Sequence, residues 1–205
     1  MDSKEHWEKV YTTKPAESVS WFQQHASTSL ELIAHTGVTP RGHIIDVGGG
    51  ASTLIDDLIA KGFCNVSVLD LSEVALETAQ SRLGRKAAKV NWIVGDITAI
   101  RLPQSCYDIW HDRAVFHFLI NAEDRAAYKA ILEHSLKPDG HLIMATFAED
   151  GPTQCSGLAV KRYSVAELEA EIGSHFTLVR AKKEQHVTPS GAIQNFNYCH
   201  FRRSA

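Results

Sequence analysis

The chain has 205 residues, 44% of them apolar and 22% charged, with a net charge of −3. That length supports one well-buried domain and is short for two, and the charge leaves no basic footprint for nucleic acid. Four widely spaced cysteines (Cys64, Cys106, Cys155, Cys199) form no C-x-x-C pair, which fits a reducing cytoplasm better than a disulfide framework or a zinc site. No apolar signal core opens the sequence, and no run approaches the roughly 18 residues of a spanning helix. The expectation is a cytoplasmic single domain over residues 1–205, with no membrane association.

Residues 1–40 are polar and punctuated by Trp7, Tyr11, Trp21 and Phe22. A helix is expected at Ser27–His35, where Leu30, Ile33 and Ala34 share a face and Gly37 ends it. Pro40-Arg41-Gly42 turns into a first strand, His43–Val47. Gly48-Gly49-Gly50 then leads to a helix over Ser52–Lys61 that Gly62 stops. A second strand, Asn65–Leu69, ends at Asp70, and Ser72 is placed to cap a helix running to Leu83. Val90–Val94 is a third strand, followed by Gly95-Asp96. Tyr107–His111 is a fourth, followed by Asp112-Arg113. A helix over Glu123–Leu136 and a Lys137-Pro138-Asp139-Gly140 turn launch a fifth strand, His141–Phe147. Beyond a Glu149–Gly157 loop come a helix, Ser164–Ile172, and two strands, Phe176–Lys183 and Ile193–Phe201. Thr188-Pro189-Ser190-Gly191 joins those two as an antiparallel hairpin.

The order β-α-β-α-β-β-α-β with short loops predicts a parallel sheet covered on both faces. Ligands of such sheets sit beyond the carboxyl ends of the strands, where strand order reverses. Asp46 and Asp70 close the first two strands, and Asp96 and Asp112 lie just beyond the third and fourth. The glycines let backbone approach a ligand, and the following helix offers free N–H groups. The dinucleotide fingerprint fails because Thr53 stands where its third glycine is needed. The P-loop fails because no lysine follows the glycines.

These residues resemble the class I methyltransferases that use S-adenosyl-L-methionine, over Ile44 to Arg202. Asp46, Gly48 and Gly50 match that family's D-x-G-x-G-x-G, with Ser52 in place of the third glycine. Asp70 matches the residue that binds the ribose hydroxyls, with Leu71 beside it. Gly95-Asp96-Ile97 matches the adenine-contacting turn. Leu136-Lys137-Pro138-Asp139-Gly140 is similar to the L-K-P-G-G turn, and the terminal hairpin is a further shared trait. The resemblance implies an α/β, Rossmann-like doubly wound sheet of seven strands, mostly parallel with a C-terminal antiparallel hairpin. It divides the chain into an N-terminal lid and helix (1–40), a cofactor-binding core (41–148) and an acceptor-side loop, helix and hairpin (149–205).

His6-Trp7-Glu8-Lys9-Val10-Tyr11 and Ser20-Trp21-Phe22 resemble the W-x-x-x-Y…W-F lid of small methyltransferases, including some that modify lysine. Its aromatics would cover the cofactor, and such a cage would also hold an ammonium. The run His111-Asp112-Arg113-Ala114-Val115-Phe116-His117 lacks the N/D-P-P-Y/F of the base- and glutamine-modifying members. Expected catalytic residues are His117, as a base or acceptor-orienting group, with Tyr11 and Asp112. The expected cofactor site comprises Asp46, Gly48, Gly49, Gly50, Ser52, Asp70, Leu71, Asp96, Ile97, Asp112, Arg113, Tyr11 and Trp21. No metal is expected, because the eleven histidines show no ligand spacing. The implied reaction converts S-adenosyl-L-methionine to S-adenosyl-L-homocysteine while methylating nitrogen, oxygen or sulfur of a small molecule or protein side chain. The alternatives are a non-catalytic module that binds the same cofactor and, more remotely, a nicotinamide reductase.

Overall fold

A computed structural model describes residues 3–205; Met1 and Asp2, at the start of the expected lid, lie outside the described residues. The helices are α1 (Ser3–Thr13), α2 (Ser27–His35), α3 (Leu54–Ala60), α4 (Glu73–Leu83), α5 (Ala122–Ser135) and α6 (Val165–Ile172). The strands are β1 (His43–Val47), β2 (Asn65–Asp70), β3 (Val90–Val94), β4 (Tyr107–Arg113), β5 (Leu136–Phe147), β6 (Gln154–Cys155), β7 (Leu158–Ala159), β8 (Phe176–Val187) and β9 (Ile193–Arg203). Seven strands form one sheet in the order β3-β2-β1-β4-β5-β9-β8, while β6 and β7 pair alone. β1 to β5 pair in parallel, and β9 pairs antiparallel with both β5 and β8. The chain winds outward from β1 in both directions, so the order reverses between β1 and β4, as the sequence pattern requires.

Successive strand residues point to opposite faces, and both faces are buried. Ile44, Ile109 and Ile143 pack with Leu32 of α2, Leu54 and Leu58 of α3 and Leu76 of α4. Their neighbours Ile45, Trp110 and Met144 pack with Tyr128 and Leu132 of α5 and Leu168 of α6. Each such side chain contributes about 1.5–3 kcal/mol by leaving water, so the two layers together fix the register. Ser72 caps α4 as expected, its Oγ accepting the Ala75 N–H, and Ser164 and Glu167 form a full capping box on α6.

The structure corrects several boundaries. β4 extends to Arg113, so Asp112 pairs with Val47 and Met144 inside the sheet instead of following it. β5 begins at Leu136 opposite Tyr107, and the next pair is His141 with Ile109. The Lys137–Gly140 turn survives as an excursion within that strand, with Asp139 at φ 61° and an ideal Gly140 Cβ only 2.8 Å from the Lys137 carbonyl oxygen. The Glu149–Gly157 loop contains β6, one arm of a small hairpin. Helix α1 was not anticipated: of its residues only Val10 is buried, so little apolar periodicity marks it.

Candidate active site

A cavity of about 510 Å³ opens at the carboxyl ends of β1, β2, β3 and β4, within the usual size of a small-molecule site. Gly48, the first glycine of the loop, lines its floor. The Gly48 and Gly49 N–H groups both donate to the Leu69 carbonyl, at 2.7 and 3.2 Å, tying the loop to the end of β2. Gly48 has φ 66°, and a Cβ there would lie 1.9 Å from Val115 Cγ2. At Gly49 it would meet Asp46 Oδ2 and Val68 Cγ1, each at 2.6 Å. At Gly50 (φ 42°) it would fall 2.9 Å from Asp70 Oδ2 and 3.1 Å from the Tyr11 hydroxyl. A side chain at any of the three positions would collide with its surroundings, and at Gly48 and Gly50 the backbone itself favours glycine. From outside, the Arg82 guanidinium holds the Ala51 and Ser52 carbonyls at 2.8 and 2.6 Å.

Asp70 lines the cavity, and its Oδ1 accepts the Ser72 N–H at 2.8 Å. Burial raises its pKa to about 7; the Ser72 hydrogen bond opposes this, while the nearby Asp46 and Glu8 charges add to it. Leu71, Asp96 and Ile97 continue the same wall. Asp96 Oδ1 accepts both the Thr98 N–H (2.8 Å) and the Thr98 hydroxyl (2.7 Å), which fixes the turn. Opposite stands an aromatic wall. Trp7 meets Trp21 at 5.6 Å and Phe118 at 5.2 Å, both edge-on. The Tyr11 hydroxyl accepts the Trp21 indole N–H at 3.2 Å, which leaves its own proton to donate. Burial, reinforced by the Asp70 charge, pushes the Tyr11 pKa upward, so that proton stays on.

Arg113 borders both this cavity and a smaller space under the glycine loop. Its Nε donates to the Tyr198 hydroxyl at 2.8 Å and one terminal nitrogen to the Trp21 carbonyl at 3.0 Å, and the guanidinium lies 4.7 Å from the Phe196 ring centre. The other terminal nitrogen is buried without a hydrogen-bond partner. A guanidinium in this position fits an anionic group of a ligand.

Six expected site residues do not line the main cavity: Gly49, which borders only the smaller space, Gly50, and Asp46, Ser52, Asp112 and His117. Asp46 bonds His111 Nδ1 at 2.7 Å, His111 bonds Ser29 Oγ at 2.8 Å, and this buried chain supports the loop from behind. Ser52 accepts the Leu54 N–H at the start of α3 and borders only the smaller space. Asp112 is fully buried: Oδ2 accepts the Tyr128 hydroxyl at 2.6 Å, and Oδ1 accepts the Val115 and Phe116 N–H groups at 3.1 and 3.3 Å. It shapes the bend at Ala114 (φ 68°), so its expected catalytic and cofactor roles are replaced by a structural one. His117 is fully buried too, and its Nδ1 accepts the Phe147 N–H at 3.3 Å. Burial beside Arg113 lowers its pKa to about 3. A ring that is enclosed and already occupied as an acceptor cannot take a proton from an acceptor in the cavity.

What sequence reasoning missed is apolar. Phe118, immediately after His117, supplies the wall, and Leu158 and Ala159 of β7 face the cavity beside Cys155. Burial raises the Cys155 thiol to about 11, so it serves as a neutral wall. The signals for this side were the aromatic spacing of the lid and the acceptor-side loop expected after the fifth strand.

Comparison with known proteins agrees with the geometry. The family described as "Methyltransferase domain" matches residues 44–140. The mouse eEF1A lysine and N-terminal methyltransferase is 21% identical over 131 residues, 63% of this chain but 18% of that protein. This chain therefore spans about a fifth of the length of several curated relatives it matches. The zebrafish EEF1A lysine methyltransferase 2 is 24% identical over 160 residues, 71% of this chain and 69% of the relative. Among solved structures, the Burkholderia thailandensis 1,6-didemethyltoxoflavin-N1-methyltransferase, with S-adenosylhomocysteine and its acceptor bound, superposes with a TM-score of 0.73 at 20% identity, covering 99% of this chain and 85% of that one. A protein that converts a disulfide bond into a thioacetal group in echinomycin biosynthesis gives a TM-score of 0.76 at 17% identity, covering 98% and 93%. Residues 44–140 thus match a methyltransferase domain, and with the glycine loop, the acidic strand end at Asp70 and the terminal hairpin in place the chain has the fold of S-adenosyl-L-methionine-dependent methyltransferases.

Proposed function

We propose that the chain transfers the methyl group of S-adenosyl-L-methionine to a nitrogen, oxygen or sulfur nucleophile of a small molecule or a protein side chain. The observation that carries this reading is that Gly48, Asp70, Asp96 and Tyr11 all line one cavity at the strand-order reversal, walled by aromatics. The cofactor supplies an electrophilic methyl group; the chain supplies alignment and dry walls. Asp70 accepts from the ribose hydroxyls, and Asp96 and Ile97 hold the adenine edge. Gly48 and Gly50 admit the methionine portion, with the unpartnered Arg113 nitrogen toward its carboxylate and the Tyr11 proton free to donate. Trp7, Trp21 and Phe118 bound the acceptor. Both acceptor kinds occur among the relatives, one named for protein lysine and one bound to a small heterocycle.

In this reading residues 1–40, 41–148 and 149–205 serve one unit as lid, cofactor core and acceptor side. The four cysteines are unpaired, which supports a reducing compartment such as the cytoplasm. Calorimetry with S-adenosyl-L-methionine tests the assignment. Asp70→Ala should weaken binding by about 1–3 kcal/mol, the cost of losing a charged hydrogen-bond acceptor. Undiminished affinity would remove Asp70 from the ribose.

A further inference from the structure

The carboxylate of Glu8 reaches from α1 to the N-terminus of α4. Ser72 Oγ donates to it at 2.9 Å, the Glu73 N–H at 2.9 Å and the Val74 N–H at 3.3 Å. Ser72 itself accepts the next two N–H groups, Ala75 on Oγ at 3.1 Å and Leu76 on its carbonyl at 3.3 Å. The four opening donors of α4 are therefore satisfied, two of them by a residue from a distant element. An anion at this end of a helix is favoured by both the free N–H groups and the dipole. Burial raises the Glu8 pKa, but the bonds from Glu73, Ser72 and Val74 outweigh it and leave the carboxyl below its usual range.

The same residue that receives Glu8 also serves the cofactor wall: Ser72 donates its N–H to Asp70 Oδ1 at 2.8 Å. On α1, Ser3, Trp7 and Tyr11 lie four residues apart, on one helical face, and all three line the cavity. Beyond Lys14-Pro15 the following strap is fastened to the body. Arg113 holds the Trp21 carbonyl, His186 bonds the Ser20 carbonyl at 2.7 Å, Gln23 donates to Glu184 at 3.0 Å, and Thr53 donates to the Gln23 carbonyl at 2.8 Å. Helix α1 can thus lift about residues 14–15 while the strap stays, giving up the Trp21–Tyr11 hydrogen bond and the Trp7–Trp21 contact. The α4 N–H groups it would leave are near the surface, where water replaces Glu8.

We propose that Glu8 is a positioning residue, the latch that holds α1 closed over bound cofactor and lets go when cofactor exchanges. The proposal rests on the reading of the cavity as the S-adenosyl-L-methionine site. Closure brings Trp7 and Tyr11 over the ligand and reports it to Asp70 through Ser72. Opening costs α4 no cap at its third and fourth donors, since Ser72 keeps them.

Full-length Glu8→Ala, Glu8→Gln and wild type can be loaded with radiolabelled S-adenosyl-L-methionine and chased with unlabelled cofactor. Hydrogen exchange over residues 3–13 and thermal unfolding of the empty proteins are followed in parallel. The expected result is release about tenfold faster from Glu8→Ala, with Glu8→Gln in between because it keeps one acceptor oxygen without the charge. Exchange protection should be lost in residues 3–13 and at the Glu73 and Val74 N–H groups that Glu8 holds, and nowhere else, and the unfolding midpoint of the empty protein should fall only slightly. Wild-type release and protection in Glu8→Ala overturn the latch. So does a loss of protection spread over the whole chain with a strongly lowered midpoint, which assigns Glu8 to stability alone. Failure of the wild-type chain to bind cofactor is a separate result, and it overturns the reading of the cavity.

Discussion

His117 and Phe118 are neighbours with opposite fates. A titratable ring at a strand end attracts a catalytic reading, but β5 runs on to Phe147 after β4 has stopped pairing at Arg113, and the Phe147 N–H needs an acceptor. The His117 ring supplies one, and the apolar residue beside it turns to the cavity. Sequence cannot show this, because it depends on where two strands cease to run together. Asp112 is misread for the same reason: its partners Tyr128, Val115 and Phe116 are brought to it only by packing of α5 and the bend after β4. His117→Phe should lower folding stability by about 1–3 kcal/mol, the cost of an unpaired buried N–H. The pH profile of methyl transfer should keep its shape. Denaturant unfolding and steady-state rates across pH check the two halves, and a lost acidic limb in the profile would restore His117 to the chemistry as a base.

At the scale of elements, the core was legible, whereas of the lid only the aromatic residues were, not the helix that carries them. Strands buried on both faces read as short apolar runs, and Ser72, Gly62 and Gly84 punctuate the helices between them. The acidic end of β2 and the glycine loop were legible because their positions come from local backbone geometry. Helix α1 covers a cavity instead of the core, so the periodic signal that marks α3 or α4 is missing from it. The Gln154–Ala159 hairpin is too short for any periodicity. The loop makes its own prediction. Gly48→Ala places a Cβ 1.9 Å from Val115 Cγ2 and also strains a left-handed backbone. It should abolish detectable cofactor binding, and adding Val115→Ala should recover binding only in part. The backbone strain, about 1–2 kcal/mol, remains after the clash is gone. Titration calorimetry on the single and double variants measures this, and full recovery would mean that the backbone angle at Gly48 is immaterial.

For the whole molecule, buried ionisable groups set an unusual pH response. Burial raises Asp70 to about 7 and Asp112 to about 6, against 3.8 when unfolded. A raised carboxyl stabilises the fold while protonated, and that contribution is lost as pH rises through the folded value. Burial lowers His117 to about 3 and His200 to about 4, against 6.5 unfolded. Depressed histidines contribute stability above the unfolded value and lose it as pH falls toward the folded one. On acidification from about pH 8 to 6.5 the carboxyls take up protons in the folded state, while His117, His200 and the likewise lowered His141 and His186 take them up on unfolding. The two sets oppose each other, so the stability of the empty protein should change little. Urea unfolding across this range without cofactor checks the balance, and a steep rise or fall from pH 8 would contradict it.

The seating of Glu8 on α4 also bears on how the chain is made. Glu8 and Glu73 are 65 positions apart, yet they share a hydrogen bond. As the chain is synthesised, the segment that becomes α1 appears well before its docking site exists. It must wait, solvated and with Trp7, Val10 and Tyr11 as its only large apolar side chains, until β2 and α4 have formed. A sparse apolar face, which hides α1 from pattern reading, is also what keeps a waiting segment from binding elsewhere. The first helix of the chain is therefore a late arrival in its folding.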